Sequence, residues 1–350
     1  MPGTETLQRR TSIEDIDTDI VTLPAFLIEE QKKYQNARGD FTLLLNALQF
    51  AFKFISQTIA KAELINLIGL TGGTNSTGDS QKKLDVLGDD IFKNAMSGSG
   101  VVRIMVSEEQ EDPIYFEHNE ASYAVCCDPI DGSSNLDAGV AVGTIVSIFR
   151  LAPGSEGRKE DILRPGTEMV AACYAMYGAS THLLLTMGNG VHSFTLDHNI
   201  GEFILVNRRV EIPEQRSIYS INEGNTAFWS QEISTFINSL KCPFPTGGEN
   251  VPRPYSSRYI GSMVADVHRT FLYGGLFAYP GDRKHANGKI RLLYEAFPMA
   301  YLMEQAGGKA VNDKGERILD LVPEDIHDQT SLWLGSPVEV NMFLKHIGKS

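Results

Sequence analysis

Apolar residues recur with two different periods along the chain, and the change of period predicts where helices and strands lie. Between residues 41 and 59 they return at steps of three and four, the spacing of an amphipathic helix, with Asp40 as its N-cap. Lys82–Met96 shows a second helical pattern. Val101–Val106 and Tyr123–Cys127 are instead short, almost continuous apolar runs, which are typical of buried strands.

The remaining segments follow the same two patterns. Further strands are predicted at Gly143–Leu151, Met169–Tyr177, Leu183–Met187, Val191–Leu196, Ser217–Ile221 and Leu332–Leu334. Further helices are predicted at Phe228–Leu240, 261–273, 291–306 and Val338–Ile347, and glycine- or proline-rich loops at 71–79, 152–168 and 242–256. This order predicts a layered α/β (α+β) fold with a boundary near Pro213, which divides the chain into residues 1–212 and 213–350.

Charge and cysteine content restrict the function. The chain of 350 residues has 44 Asp and Glu against 31 Lys and Arg, a surplus of 13 negative charges. This surplus argues against a nucleic-acid or anionic-membrane partner, but a metal ion could still reverse the sign at one site. The four cysteines form no C-x-x-C pair, which favours a reduced, intracellular setting. The uncharged stretch 169–196 is interrupted by glycine and polar residues, so it is not predicted to span a membrane.

The segment from Asp128 to Ser134 carries the clearest chemical signal. Asp128 and Asp131 lie three residues apart at a strand end, around Pro129 and before Gly132, so both carboxylates can point at one spot. Carboxylates held together repel, and a hard divalent cation such as Mg²⁺ or Mn²⁺ resolves the repulsion. The backbone N–H groups and hydroxyls of residues 132–134 suit a phosphoryl group beside that cation.

Other candidate residues are ambiguous when each is taken alone. Glu108-Glu109 is more typical of a solvated loop, Glu295 of an exposed helix position, and Cys126-Cys127 of a buried strand. Asp79 and Asp85 could be a cap and a surface residue. A further basic and aromatic set could hold a distal phosphate: Arg258, Tyr259, Tyr279 and Lys289.

Together these motifs closely resemble the fructose-1,6-bisphosphatase family. The matching segments run in order over nearly the whole chain: Gly78-Asp79, Lys82–Leu87, Val106–Glu109, Asp128–Asn135, Gly143-Thr144-Ile145, Asn222-Glu223-Gly224, Arg258–Asp266 and Asn287–Glu295. The Asp128–Ser134 motif alone marks a wider superfamily of lithium-sensitive, Mg²⁺-dependent phosphatases. The block from Arg258 to Glu295 narrows the resemblance to the bisphosphatases.

The resemblance implies an α/β/α/β/α sandwich with an N-terminal regulatory half and a C-terminal substrate half. It implies a homotetramer that hydrolyses the 1-phosphate of fructose 1,6-bisphosphate in gluconeogenesis, with two to three Mg²⁺ ions per site or Mn²⁺ in their place. The implied metal ligands are Asp79, Glu108, Glu109, Asp128, the Ile130 carbonyl, Asp131 and Glu295. The implied catalytic residues are Asp85 and Glu109, which activate water, and Asp79, on a closing loop. The implied substrate residues are Asp131, Gly132, Ser133, Ser134, Asn222, Arg258 (from a neighbouring subunit), Tyr259, Tyr279 and Lys289.

An inhibitory AMP site is also implied, and here the sequence departs from the family pattern. The implied AMP residues are Arg38, Gly39, Asp40, Thr42, Tyr123 and Arg150. Ser122 stands where a lysine is usual, and the segment 38–42 differs from the usual Thr-Gly-Glu-x-Thr. Asn225 stands where a substrate-contacting tyrosine is found in vertebrates. We therefore expect AMP inhibition with altered affinity.

Two alternatives stay open at this point. One is a related enzyme that acts on sedoheptulose bisphosphate or on an inositol phosphate. The Arg258–Lys289 block disfavours the inositol phosphate. The other is a non-catalytic sugar-phosphate sensor, which the complete carboxylate set disfavours. A cytoplasmic location is expected, or a peroxisome-like organelle if the natural C-terminus extends beyond Ser350.

Overall fold

The computed structural model describes residues 20–62, 64, 70–74, 80–118, 120–241 and 254–349, which form seven α-helices and seventeen strands. The α-helices are α1 (Leu23–Gln31), α2 (Asp40–Lys61), α3 (Lys83–Ser99), α4 (Gln231–Lys241), α5 (Met263–Tyr273), α6 (Phe297–Gln305) and α7 (Pro337–His346). The strands are β1 (Leu70–Thr74), β2 (Ser80–Lys82), β3 (Val102–Ser107), β4 (Ile114–Tyr115), β5 (Tyr123–Asp131), β6 (Val142–Arg150), β7 (Met169–Tyr177), β8 (Thr181–Thr186), β9 (Val191–Asp197), β10 (Glu202–Val210), β11 (Ile218–Ser220), β12 (Ser256–Ser257), β13 (Leu276–Tyr279), β14 (Ile290–Arg291), β15 (Lys309–Val311), β16 (Gln329–Thr330) and β17 (Leu332–Gly335).

The larger sheet has eight strands in the order β10-β9-β8-β7-β6-β5-β3-β4. Its pairs are antiparallel except for β3 and β5, which run parallel. Along β5, Ala124 and Cys126 pack into one core and Val125 and Cys127 into another. Helices cover both faces of this sheet, so the side chains that point to either face are buried and apolar. This explains why the strands are continuous apolar runs in the sequence.

The smaller sheet has five strands in the order β12-β11-β13-β17-β15. One core lies between α1–α3 and the larger sheet, a second between the two sheets around α5 and α6, and a third between the smaller sheet and α4 and α7. These contacts produce five alternating layers. The predicted α/β/α/β/α sandwich is therefore confirmed.

The predicted elements are found with small shifts, and there are three corrections. The cap of α2 is Gly39 rather than Asp40, because Gly39 has a φ of 92°, which favours glycine, and Asp40 is already helical. The predicted loop 71–79 contains strand β1, paired with β2, while residues 75–79 lie outside the described part. The helix predicted over 291–306 begins as one turn of π-helix, Leu292–Ala296.

Several elements were not predicted because their sequences lack a clear period. They are α1, β10, β13 and β15, together with the very short strands β2, β4, β12, β14 and β16. β10 is half exposed and α1 is short, so neither shows a strong apolar face.

Helix α2 is long and apolar enough to cross a membrane, and no other helix of the described residues is. However, Leu44, Leu48, Phe52 and Ile55 are buried in the core that α2 forms with α3 and the larger sheet. This is the arrangement of a core helix. The 169–196 stretch forms β7, β8 and most of β9, as the turn-rich pattern predicted.

The contact between the larger sheet and α5 leaves no room for a side chain at Gly143. A Cβ there would lie 2.7 Å from both Val264 methyl groups and 2.8 Å from the Ala175 carbonyl oxygen. We expect Gly143→Ala to lower the free energy of unfolding by about 1–3 kcal/mol, measured by urea denaturation. The matched control is Gly98→Ala in α3, where nothing lies within 4 Å. It should raise stability by about 0.5–1 kcal/mol. Parental stability in Gly143→Ala would contradict this packing.

Candidate active site

A cleft of about 530 Å³ lies where the two halves of the chain meet. Strands β3 and β5 are parallel, so their carboxyl ends open at the same edge of the larger sheet, opposite residues from the C-terminal half. The cleft is lined by Lys82, Asp85, Glu108, Glu109, Asp128, Ile130, Asp131, Gly132, Ser133, Ser134, Tyr259, Gly261, Met263, Asp266, Phe277, Tyr279, Lys289, Ile290, Arg291 and Glu295.

Three buried carboxylates form the centre of the cleft. Asp128, Asp131 and Glu295 each bring one oxygen within 4.8 Å of the other two. Burial, together with the negative charge of Glu108, raises the pKa of Asp131 to about 7 and that of Glu295 to about 8. The pKa of Asp128 is raised well above its usual range, first by burial and then by the surrounding acids. A bound divalent cation would remove this repulsion.

Backbone N–H groups from both halves hold these carboxylates in place. The N–H of Ile130 donates to Asp128 Oδ1 over 3.0 Å, within the turn that ends β5. The N–H of Val264, at the start of α5, donates to Asp131 Oδ2 over 3.2 Å. The N–H of Arg291 donates to Glu295 Oε2 across the turn of π-helix. The ligand geometry is therefore fixed by three separate elements.

Arg291 is a site residue to which the sequence assigned no role. Its side chain is 11% exposed, and Nη2 lies 3.2 Å from Glu108 Oε1. The charges of Glu295 and Glu108 raise the pKa of Arg291 against the effect of its burial, so it stays cationic. It offsets one negative charge, whereas several acids converge here. The only signal in the sequence was its place in the 287–295 segment.

Asp85 lies beside the acidic centre, in the first turn of α3. It is 4% exposed, and burial raises its pKa. Its Oδ2 atom accepts from the Lys82 N–H over 2.8 Å and from the Ser133 hydroxyl over 3.3 Å. Its buried Oδ1 atom has no hydrogen-bond partner among the described residues. A carboxylate with one oxygen held and the other available is suited to accept a proton from water.

The turn at residues 132–134, which the sequence predicts to bind a phosphoryl group, follows directly after β5. Gly132 has a φ of 79°, which lets the chain reverse into the 3₁₀-helix Ser133–Ala138. Asn135 Nδ2 donates to the Gly261 carbonyl over 3.0 Å, so the turn is fastened to the C-terminal half. Residues 132–134 therefore face the cleft beside the acidic centre.

The structure brings most of the predicted site residues together, with three exceptions. Glu108, Glu109 and Glu295 line the cleft, and the interpretation of Glu295 as exposed is wrong, because it is 5% exposed. Tyr259, Tyr279 and Lys289 line it as well. Asn222 caps the 3₁₀-helix Glu223–Phe228, and neither it nor Arg258 lines the cleft. Asp79 lies outside the described residues.

A second cavity, of about 420 Å³, lies at the other end of β5. All six residues of the predicted nucleotide site line it: Arg38, Gly39, Asp40, Thr42, Tyr123 and Arg150. Leu27, Val170 and Met187 add apolar walls. Thr42 Oγ1 donates to Gln31 Oε1 over 2.6 Å, which joins α1 to the first turn of α2. The cavity therefore combines cations, a helix N-terminus and an apolar surface.

Comparison with known sequences finds the same protein family over nearly the whole chain. The model of the fructose-1-6-bisphosphatase N-terminal domain matches residues 21–208, and that of the C-terminal domain matches 212–347. Fructose-1,6-bisphosphatase of Saccharomyces cerevisiae is 68% identical over 350 residues, which is 100% of both chains. The cytosolic fructose-1,6-bisphosphatase of Arabidopsis thaliana is 51% identical over 320 residues, covering 91% of this chain and 92% of its own.

Comparison with solved structures gives the same result. The crystal structure of Leishmania major fructose-1,6-bisphosphatase in its holo form has a TM-score of 0.88 and 44% identity, covering 94% of this chain and 99% of that chain. The T-state structure of the same protein has a TM-score of 0.82 and 43% identity, covering 93% of this chain and 98% of that chain. The chain belongs to the fructose-1-6-bisphosphatase family.

Proposed function

We propose that the chain is a divalent-metal-dependent phosphatase that hydrolyses the 1-phosphate of fructose 1,6-bisphosphate, giving fructose 6-phosphate in gluconeogenesis. The observation that carries the proposal is the meeting of three groups in one cleft. These are the carboxylate centre, the 132–134 turn beside it, and the set Tyr259, Tyr279 and Lys289. The family and the names of the relatives support the same activity.

The donor set of the cleft fits Mg²⁺, with Mn²⁺ as a substitute. It consists of carboxylate and carbonyl oxygens, without histidine or cysteine among the residues that line the cleft. Two to three ions would be held by Glu108, Glu109, Asp128, the Ile130 carbonyl, Asp131 and Glu295, together with Asp79 on the resemblance. When bound, such ions neutralise a phosphate and make water a better nucleophile.

The protein's own groups supply positioning and proton transfer. The available oxygen of Asp85, with Glu109, would accept the proton of the attacking water. The N–H groups and hydroxyls of residues 132–134 would hold the 1-phosphate in line for attack. At the opposite wall, Tyr259, Tyr279 and Lys289 would hold the sugar and its 6-phosphate, with Asn222 and a neighbouring subunit's Arg258 as further contacts.

We infer that AMP inhibits the enzyme by binding in the second cavity. Burial raises the pKa of the Tyr123 hydroxyl, and the charges of Arg150 and Arg38 act against that rise, so two cations lie near it. The N-terminus of α2 adds unpaired N–H groups for a phosphate. Leu27, Val170 and the other apolar walls suit a purine base.

We also infer a cytosolic homotetramer. An exposed apolar stripe on α2 supports oligomerisation, with Leu43 54%, Phe50 60% and Phe54 47% exposed. The plant relatives are described as cytosolic, and no comparison supports the peroxisome-like alternative.

The first prediction from the proposed function concerns catalysis. The parental protein should release phosphate from fructose 1,6-bisphosphate only with Mg²⁺ or Mn²⁺, and light scattering of the active species should give the mass of four chains. Asp131→Asn removes a charged ligand and should lower kcat by at least about 100-fold. The matched control is Asp197→Asn at the last residue of β9, whose side chain accepts from the Asn199 N–H, and this variant should keep parental activity.

Three outcomes would contradict this function. Asp131→Asn with near-parental Mg²⁺-dependent activity would exclude the mechanism. Faster phosphate release from sedoheptulose bisphosphate or inositol monophosphate than from fructose 1,6-bisphosphate would show that the proposed substrate is wrong. Release from none of the three substrates would favour the sensor.

The second prediction concerns pH and metal removal. Folding raises the pKa of Asp131 to about 7 and that of Glu295 to about 8, from about 4 in the unfolded chain. The metal-free folded state therefore binds more protons than the unfolded state, and this stabilisation is lost as pH rises through 7 and 8. His268 has the opposite sign, because its pKa falls to about 4, but its effect ends near pH 6.5.

We therefore expect the Tm in EDTA to fall by several degrees between pH 7 and 8.5. Mg²⁺ should reduce that fall by replacing the protons, and Asp131→Asn in EDTA should show a smaller pH dependence than the parent. Differential scanning calorimetry measures all three curves. Equal slopes with EDTA and with Mg²⁺ would show that no cation binds these carboxylates.

The third prediction concerns the second cavity. Arg150→Ala removes one of the two cations and should raise the inhibitory AMP concentration by about 10- to 100-fold, with kcat unchanged. Arg158→Ala, an exposed arginine paired with Glu156, is the matched control and should respond to AMP like the parent. Flat parental activity across millimolar AMP would rule out the inhibition.

A further inference from the structure

The turn that carries Glu108 and Glu109 has few backbone bonds of its own. Strand β3 ends at Ser107, and the Gln110 N–H donates back to the Ser107 carbonyl over 3.3 Å. The Glu108 N–H donates to the Cys127 carbonyl of β5 over 3.1 Å. The Glu109 N–H donates to the Ser107 hydroxyl over 3.3 Å, and Arg291 pairs with Glu108. These bonds do not by themselves set the position of the turn relative to α3, which carries Asp85. The groups that hold this turn from outside therefore decide how the two glutamates meet a cation.

Asp89 holds the turn from α3, one helical turn beyond Asp85. It is 3% exposed and does not line the cleft. Gln110 Nε2 donates to Asp89 Oδ2 over 2.5 Å, and the buried Ser107 hydroxyl is hydrogen-bonded to the same carboxylate. An amide that donates to a buried carboxylate forms a strong hydrogen bond. The helix that carries Asp85 is thus attached to the turn that carries Glu109.

His327 holds the same turn from the C-terminal half. Its Nε2 atom lies 3.0 Å from the Gln110 carbonyl and 3.2 Å from the Glu111 carbonyl. Because carbonyls only accept, Nε2 must carry a proton. In the neutral ring, Nδ1 then accepts from the Tyr294 hydroxyl at 2.8 Å. Tyr294 precedes Glu295, so this second connection ties the turn to another of the acidic residues.

We propose that Asp89 and Gln110 act as a positioning pair for the cation site, although neither residue lines the cleft. The proposal rests on the proposed metal-dependent function. The amide–carboxylate bond sets the spacing between Asp85 on α3 and the Glu108–Glu109 turn. Without it, the glutamates keep their charge but lose their fixed direction, and the cation is held less tightly. Partners of this kind, one bond behind the ligands, commonly change metal affinity by 10- to 100-fold.

The test compares Asp89→Ala, Gln110→Ala and the double variant with the parent. Mn²⁺ binding is measured by calorimetry without substrate, and the Mg²⁺ concentration for half-maximal phosphate release is measured separately. Each single variant should bind Mn²⁺ about 10-fold more weakly. The double variant should be no weaker than the weaker single variant, because both changes break one bond. The conservative Asp89→Asn keeps an acceptor for Gln110 and should stay close to the parental affinity.

A control separates positioning from stability. Phe92→Leu lies on the same helix and is fully buried in the core, so it should lower the Tm while leaving Mn²⁺ affinity unchanged. If the alanine variants do not fold, Gln110→Met, which keeps the volume and removes the donor, is compared with Asp89→Asn instead. Parental Mn²⁺ affinity in Gln110→Ala or Gln110→Met would overturn the proposal. A parent that binds Mn²⁺ but releases no phosphate from any sugar bisphosphate would refute the proposed function and leave the pair testable by binding alone.

Discussion

The burial of like-charged carboxylates in one cleft is the constraint on which the rest of this structure depends. Asp128, Asp131 and Glu295 would each prefer water, and their mutual repulsion adds to the cost of burial. Backbone donors from β5, α5 and the π-turn fix their oxygens, and Arg291 offsets one charge. The remaining negative charge calls for a cation. The same groups therefore join the two halves of the chain and prepare the site for chemistry.

Strand β5 connects this site to the second cavity. Tyr123 begins the strand and Asp131 ends it, a span of roughly 26 Å at the usual rise per residue. Pairing with β6 runs from Tyr123 opposite Arg150 to Asp131 opposite Gly143, with one irregularity after Asp128. Asp128, Ile130 and Asp131 of β5 line the cleft, and Tyr123 of β5 lines the second cavity together with Arg150 of β6. A ligand in the second cavity would therefore contact the start of the strand whose other end lines the cleft.

Much of the site could be predicted because its chemistry is encoded locally. The Asp128–Ser134 segment holds two carboxylates and a tight turn within seven residues, so the clustering of its two acids could be predicted without a structure. Glu295 could not be recognised in this way. Its surroundings are made by residues distant in sequence, and alone it looks like an exposed helical residue. Arg291, Asp89 and Gln110 were overlooked for the same reason, since each is paired with a residue distant in sequence.

The sequence by itself determined the periods of the main helices and strands, the layered class and the acidic turn, because these depend on neighbours within a few residues. Its motifs also determined the family. The family resemblance also indicated Glu108 and Glu295 as partners of that turn. Only the tertiary structure decided that Arg291 joins them, that α2 begins after Gly39, and that α1 and β10 form at all. These outcomes depend on burial and long-range pairing, which place a residue in an environment that its own neighbours in sequence do not specify.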